Sequence, residues 1–285
     1  MDVSRLAQRF EGIALSHVED GSLVAAPLPD VATSCLHRLE AVGTSESDLA
    51  TLVGRDPMLT LAVLKAVSKQ PAPEESAAPR TVLEAVTRLG AEGTVSVLRE
   101  LCGSPLPQSI DREINHHCKM LVLHSMAVAT LAKELGDQME SQDGAAAHLV
   151  GLVHDAGKLA LASLLLHTEK MMAGARWLEA SAWLEVVQTH RKIGLALAKK
   201  WCLPPEVSAT IAGSDDYDAG NRTGAANVVR FANALAKVHG VASGPVNLGD
   251  AETLVMIGGS LVGVDAERVD ELTKNLRKRI EQQLE

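Results

Sequence analysis

Four side chains in apolar, helix-like surroundings are the part of this sequence that could do chemistry. His124 shares a helical face with leucine and valine residues three, four and seven positions away, and His190 lies on a similar face. His154 and Asp155 interrupt the most apolar segment of the chain. A buried aspartate must be paired, hydrogen-bonded or bound to a metal. Imidazole and carboxylate groups converging from several helices are typical of a divalent-metal site.

Each of these residues also has a structural interpretation. A histidine on an apolar stripe often does no more than hydrogen-bond a backbone carbonyl in the core. The His154–Asp155 pair could form an ion pair with Lys158, or cap the helix that follows. Spacing alone therefore leaves metal binding and a structural role equally open.

The elements that must position these residues are predicted to be helices, since apolar residues recur at helical spacing and no stretch alternates convincingly at period two. Helix starts are predicted at Pro29, near Ser45 with acidic residues in the first turn, after Pro57 and at Thr81. Further helices are predicted over 121–135, 145–166 (a pair interrupted by the polar site), 177–201 and 225–238, with two more after residue 250. The proline-rich stretch 103–108 predicts a boundary between two helical lobes, 1–108 and 109–285.

Composition excludes several classes of function. Only 2% of the 285 residues are aromatic, which argues against base-stacking surfaces and β-rich folds. A net charge of −9 argues against nucleic-acid binding. The four cysteines form no CxxC pair and no secretory signal is evident, so a reducing cytoplasm is expected. Asp155 and Lys158 interrupt the one segment of membrane-spanning length, at about 2.5–3.5 kcal/mol each, so no membrane partner is expected.

The block Leu152-Val153-His154-Asp155-Ala156-Gly157-Lys158 resembles the core motif of the HD superfamily, H-D-x-G-K. From about residue 28 to about residue 236, the chain resembles more specifically the HDOD domain of bacterial signalling proteins. The other landmarks of this resemblance are Leu28-Pro29, Leu49-Ala50 through Asp56-Pro57 with Leu59-Thr60, Val86 to Gly90, His124-Ser125, His190 with Gly194, and Trp201 with Leu203-Pro204.

The resemblance implies an all-α fold with an HD-like helical lobe after an N-terminal lobe. It also implies a ligand set: His124 matches the first histidine of active HD phosphohydrolases, and His154 with Asp155 matches the pair. His190 matches the additional histidine of two-metal members such as the HD-GYP phosphodiesterases. Lys158 matches the motif lysine, as a phosphate contact if the protein is active.

Two departures from the HD pattern weaken the implied site. Ser214-Asp215 stands where relatives often have two histidines, and Asn233 stands where an aspartate is expected. Asparagine offers a carbonyl oxygen but no charge, and no GYP signature follows Asp215. The remaining three imidazoles and one carboxylate suit a single Zn, Ni, Fe or Mn ion better than a two-metal clamp.

The sequence therefore predicts a signalling module that is not a catalyst and acts by binding a partner protein or a small nucleotide-like ligand. The alternative is a divergent metal-dependent phosphohydrolase acting on a nucleotide or cyclic dinucleotide. Oligomeric state stays open, because the terminal helices could either cap the second lobe or pair between chains. Their apolar residues are Leu254, Ile257, Leu272, Leu276 and Ile280.

Overall fold

The computed structural model describes residues 2–23, 26–41, 45–71, 77–139, 143–172, 177–213, 216–242 and 244–284. Within these ranges the chain is helical and contains no β-strand, so the all-α prediction is confirmed. The α-helices are α1 Val3–Asp20, α2 Pro29–Ala41, α3 Glu46–Val53, α4 Pro57–Val67, α5 Val82–Leu89, α6 Ala91–Cys102, α7 Arg112–Gly136, α8 Gly144–Val153, α9 Ala156–Met171, α10 Ala180–Val187, α11 Arg191–Lys200, α12 Pro205–Ala212, α13 Ala225–Val238, α14 Leu248–Val262, α15 Ala266–Thr273 and α16 Leu276–Leu284.

The division into two lobes stays a prediction, and the names N-terminal lobe and second lobe denote helices α2–α6 and α7–α16. Side-chain caps start the helices of the N-terminal lobe where the sequence predicts them. The Ser45 hydroxyl accepts from the backbone of Asp48 at the start of α3, and Thr81 caps α5 in the same way. Asp56 accepts from the N–H groups of Met58 and Leu59 at 2.7 and 3.0 Å, and Pro57 supplies the first residue of α4. Helix α6, which the sequence pattern did not predict as a separate element, packs against α2 and α4.

Helix α1 packs mainly against helices from the second half of the chain. It contacts α9, α10 and α11, and its Phe10 ring lies 5.5 Å from the ring of Trp177. Lys192 forms an ion pair with Glu11 at 2.8 Å. Residues 3–20, which fall within the predicted lobe 1–108, therefore lie against the second half of the chain.

The proline-rich connection between the halves is held by a buried carboxylate. Glu169 of α9 accepts from the Ser109 hydroxyl at 2.9 Å and from the Ile110 backbone N–H at 3.0 Å. The Leu106 N–H donates to the carbonyl of Pro27. These bonds fix the connection on α9 at one side and on the start of α2 at the other.

Helices α7, α8, α9, α11 and α13 form the core of the second lobe, and two glycines set how closely they pack. A Cβ at Gly151 of α8 would lie 2.8 Å from the Cα of Ala129 in α7. A Cβ at Gly157 of α9 would lie 2.3 Å from the His190 carbonyl. The segment Gly144–Met171 is long and apolar enough to cross a membrane, but 94% of its most apolar 18-residue window is buried, as the predicted helix pair requires.

Two helical predictions were wrong. The pattern over 177–201 predicted one helix, whereas the structure has α10 and α11 separated by a turn at residues 188–190. The C-terminal region contains three helices rather than two, with breaks at Gly263 and at Asn275, both in the left-handed region. Gly258 lies inside α14, where a Cβ would come within 2.7 Å of Phe231 and close packing excludes a larger residue.

Cys202 ends α11 in a conformation that favours glycine, with φ 50°. The Leu203 N–H donates to Ala198 and the Cys202 N–H to Lys199, which is the Schellman pattern that glycine usually completes. We expect Cys202→Gly to raise the free energy of unfolding by about 1 kcal/mol, since the left-handed conformation costs a Cβ-bearing residue about that much. Asn275→Gly, at φ 53°, is the control and should change it less, because asparagine tolerates this region. Urea unfolding measures both; equal effects would contradict the strain at Cys202.

Burial raises the pKa of Asp56 to about 6, although its backbone hydrogen bonds to Leu59 and Met58 lower it. The native carboxyl therefore keeps its proton to a higher pH than the unfolded chain does. The free energy of unfolding should consequently fall by about 3 kcal/mol as pH rises from about 3 to about 7.

Asp56→Asn keeps an oxygen for the two N–H groups and removes the buried charge. The variant should be more stable than wild type at pH 8 and equal to it near pH 4. Denaturant unfolding across this range provides the measurement. A difference that does not change with pH would show that Asp56 is ionised throughout.

Candidate metal centre

One helix and two helix junctions bring the predicted ligands together in the second lobe. His124 lies in the middle of α7, while His154 follows the last residue of α8 and Asp155 precedes the first residue of α9. His190 precedes α11, at the turn that the sequence pattern missed. The two close glycine contacts place α8 on α7 and α9 on α11, so all four side chains meet in one core.

Asp155 is the centre of the arrangement. Its Oδ2 lies 3.7 Å from His124 Nε2 and 3.6 Å from His154 Nε2, while its Oδ1 lies 3.7 Å from His190 Nε2. His124, His154 and Asp155 form a compact buried group whose ligand atoms lie within 4.8 Å of one another. His190 faces the other carboxylate oxygen and is the most exposed of the three histidines.

Backbone carbonyls fix the orientation of each imidazole ring. Nδ1 of His124 donates to Val241 at 2.8 Å, Nδ1 of His154 to Gly151 at 2.7 Å, and Nδ1 of His190 to Gln188 at 3.0 Å. A carbonyl only accepts, so the ring proton is on Nδ1 and the neutral ring presents its Nε2 lone pair to Asp155. This is the tautomer and the outer support that metal-binding histidines use.

The charges of the site favour neutral histidines around an ionised aspartate. Burial lowers the pKa of His124 to about 3 and that of His190 to about 4, and it lowers the pKa of His154 as well. Burial opposes ionisation of Asp155, but Lys158 and then the imidazoles hold the pKa of that carboxyl well below its usual range. Lys158 Nζ donates to Asp155 Oδ2 at 2.8 Å.

These residues fit a divalent metal ion. Nε2 of His124 and Nε2 of His154 are buried and have no hydrogen-bond partner, although each faces an anionic oxygen. Two lone pairs facing a carboxylate are unfavourable unless a cation lies between them. Ligand atoms of a tetrahedral site with bonds of about 2.0–2.2 Å lie about 3.4 Å apart, which is close to the observed separations.

Of the two remaining predicted positions, 233 and 215, the structure describes only the first. Asn233 of α13 is buried, and its Oδ1 also has no hydrogen-bond partner. Helix α13 packs on α7 and α8, the helices that carry His124 and His154. Asp215, together with Ser214, lies outside the described residues.

Two contributors to the site were missed by the sequence analysis. Lys237, one turn after Asn233, lies close enough to His154 for its charge to lower the pKa of that ring. The four-residue spacing from Asn233 was the available signal. The second contributor is the Val241 carbonyl that supports His124, and no side-chain pattern could have predicted it. It is positioned by Gly240, which ends α13 at φ 75° while the Val241 N–H bonds to Ala236.

Comparison with known proteins assigns the chain to a family. The model of the HDOD domain matches residues 25–217, which include His124, His154, Asp155 and His190. The chain belongs to the HDOD family. No curated protein matches it.

Solved structures share this HDOD fold at low sequence identity. The MmoQ response regulator from Methylococcus capsulatus is 18% identical, with a TM-score of 0.62 over 88% of this chain and 98% of that one. A virulence factor from Campylobacter jejuni is 16% identical, with a TM-score of 0.59 over 94% and 99%. A Shewanella amazonensis protein, named as a candidate metal-dependent phosphohydrolase, is 18% identical, with a TM-score of 0.53 over all of both chains. At these identities the likeness shows the fold alone.

The buried Asp155–Lys158 pair should contribute to the free energy of unfolding of the HDOD core. In chelator, Asp155→Asn should lower the free energy of unfolding by about 3–5 kcal/mol, because the buried Lys158 ammonium then loses the carboxylate that it contacts at 2.8 Å. Adding Lys158→Met to that variant should recover part of the loss. Urea unfolding of the two single variants, the double variant and wild type measures the coupling. Additive losses would contradict the pairing.

Proposed function

We propose that this HDOD protein is a signalling module that binds one divalent metal ion in its second lobe and does not act as a catalyst. It acts by binding a partner protein or a small nucleotide-like ligand. The observation that carries this proposal is the ring of three oriented Nε2 atoms around a single carboxylate, Asp155. The name of the MmoQ neighbour, a response regulator, supports a signalling role. The free cysteines suit the cytoplasmic location that we propose with it.

His124, His154 and Asp155 Oδ2 would hold the ion, and His190 would face it from the side of Oδ1. Borderline ions such as Zn²⁺, Ni²⁺ or Fe²⁺ suit imidazole ligands, and Mn²⁺ suits the carboxylate. When bound, such an ion lowers the pKa of water and neutralises phosphate charge. The chain's own contribution is to orient the three rings and to keep Asp155 ionised through Lys158.

The charge count favours binding over hydrolysis. Asp155 and Lys158 cancel each other, and the three imidazoles are neutral at pH 7. A divalent ion held by these residues would add two positive charges to a buried core, and the neutral Asn233 would not offset them. A site of this kind gains from an anionic ligand. Among the residues that the structure describes, Asp155 is the one carboxylate of the group, which suits one ion better than a two-metal clamp.

Metal content tests the first half of the proposal. Protein purified without added metal or chelator should contain about one divalent ion per chain by elemental analysis. His154→Gln should lose it, because the replacement removes a ligand that is oriented by Gly151. His116→Ala, an exposed histidine of α7, is the matched control and should retain it. A metal-free wild type that also fails to bind added Zn²⁺ or Mn²⁺ would contradict the proposal.

A hydrolysis assay tests the second half of the proposal, that the protein is not a catalyst. The same assay tests the alternative, a phosphohydrolase. That alternative is favoured by one observation, namely that Asp155 faces histidines with both of its oxygens, as a bridging carboxylate would. Metal-loaded wild type should turn over neither bis(p-nitrophenyl) phosphate nor cyclic di-GMP faster than His154→Gln does. Turnover that His154→Gln abolishes would establish the phosphohydrolase.

Asn233→Asp adds the missing negative charge. We expect this variant to bind the ion about tenfold more tightly than wild type, since one added carboxylate near a divalent cation is worth at least about 1.4 kcal/mol. Calorimetric titration with Zn²⁺ measures the change. Unchanged affinity would place Asn233 outside the site.

A further inference from the structure

A cavity lies away from the candidate metal centre, between the two lobes. It has a volume of about 450 Å³ and is lined by helices α4 and α6 of the N-terminal lobe and by Trp201 at the end of α11. Ala62 and Ala66 of α4 and Val97 and Leu101 of α6 supply the apolar part of its lining. This volume is typical of small-molecule sites.

Fixed positive charge lies along one wall of this cavity. Lys65 lies on α4 and the exposed Lys69 in the turn that follows the helix, and Glu100 of α6 lines the cavity as well. The two ammonium groups and one carboxylate leave one positive charge in excess. Lys65 is half-buried, and both burial and the charge of Lys69 lower its pKa. An anion placed near both lysines would relieve this repulsion.

The Lys65 ammonium is held in place from two sides. It donates to the backbone carbonyl of Leu23 at 2.7 Å and lies 5.7 Å from the centre of the Trp201 ring. Neither the neutral carbonyl nor the ring neutralises its charge, and an ammonium has further protons to donate. Trp201 is 5% exposed and lines the cavity opposite α4 and α6. The site is therefore organised before any ligand enters.

From this cavity we infer a binding site for a small organic anion with a flat apolar body, such as an aryl or acyl carboxylate or sulfonate. The acid group lies at Lys65 and Lys69, and the apolar body packs between Ala62, Ala66 and the α6 residues. The inference goes beyond the proposed metal-binding function and shares no residue with it. Occupation of the site joins the two lobes, because its walls come from both.

The experiment uses two dyes that differ only in charge, with the full chain. 1-Anilinonaphthalene-8-sulfonate carries the acid group, and N-phenyl-1-naphthylamine has the same body without it. The sulfonate should bind one per chain and quench tryptophan emission, since Trp201 closes the cavity. The neutral dye should bind more weakly. Equal affinity for both dyes would overturn the inference.

Charge-removing variants locate the site. Lys69→Gln should weaken sulfonate binding about fivefold, as expected for loss of one partly exposed ion pair. Lys65→Gln keeps a donor for Leu23 and should weaken binding at least as much. Lys278→Gln, an exposed lysine of α16, is the matched control and should leave affinity unchanged. Circular dichroism confirms that each variant is folded. Affinities that all match the control would place the dye elsewhere and overturn the inference.

Two more variants separate this site from the metal centre and test its volume. Ala66→Leu fills the cavity while keeping both lysines, so it should abolish sulfonate binding. His154→Gln should bind the dye as wild type does, whatever its metal content. Binding that survives Ala66→Leu would overturn the cavity as the site, and binding lost in His154→Gln would assign the dye to the metal centre.

Discussion

A single buried carboxylate organises the second lobe of this protein. Asp155 is 5% exposed, and its ionised form must be balanced in a core where an unpaired charge would be very costly. Lys158 supplies the counter-charge, and three imidazoles approach the two oxygens at 3.6–3.7 Å. Because Gly151 and Gly157 have no side chain, α8 lies close to α7 and α9 lies close to α11. These close approaches let four helices meet around one anion.

Much of this centre could be predicted from the sequence because its signals are local. Polar residues that interrupt an apolar segment must be satisfied, so His154 and Asp155 were expected to lie at a site. The caps at Ser45, Asp56 and Thr81 start helices by bonds to residues two or three positions away, which a sequence pattern records directly.

The unpredicted features are those that depend on distant parts of the chain. The turn at 188–190 interrupts an apolar periodicity that continues on both sides of it. The feature that accompanies the break is the close approach of the His190 carbonyl to Gly157, which lies far away in the sequence. The support of His124 by Val241 spans 117 residues and uses a backbone carbonyl, which every residue possesses. The packing of α1 on α9–α11 likewise depends on surfaces that exist only after folding.

Helix α11 connects the two sites of the molecule. His190 precedes it at the metal centre and Trp201 follows it at the cavity between the lobes. A Cβ at Gly157 would also lie 2.8 Å from the Gly194 backbone, so α11 and α9 are in close contact and should move as one body. This contact fixes the separation of His190 from Asp155, whose Nε2 and Oδ1 atoms lie 3.7 Å apart. A ligand that packs on Trp201, at the other end of α11, therefore leaves the imidazoles around Asp155 where they are.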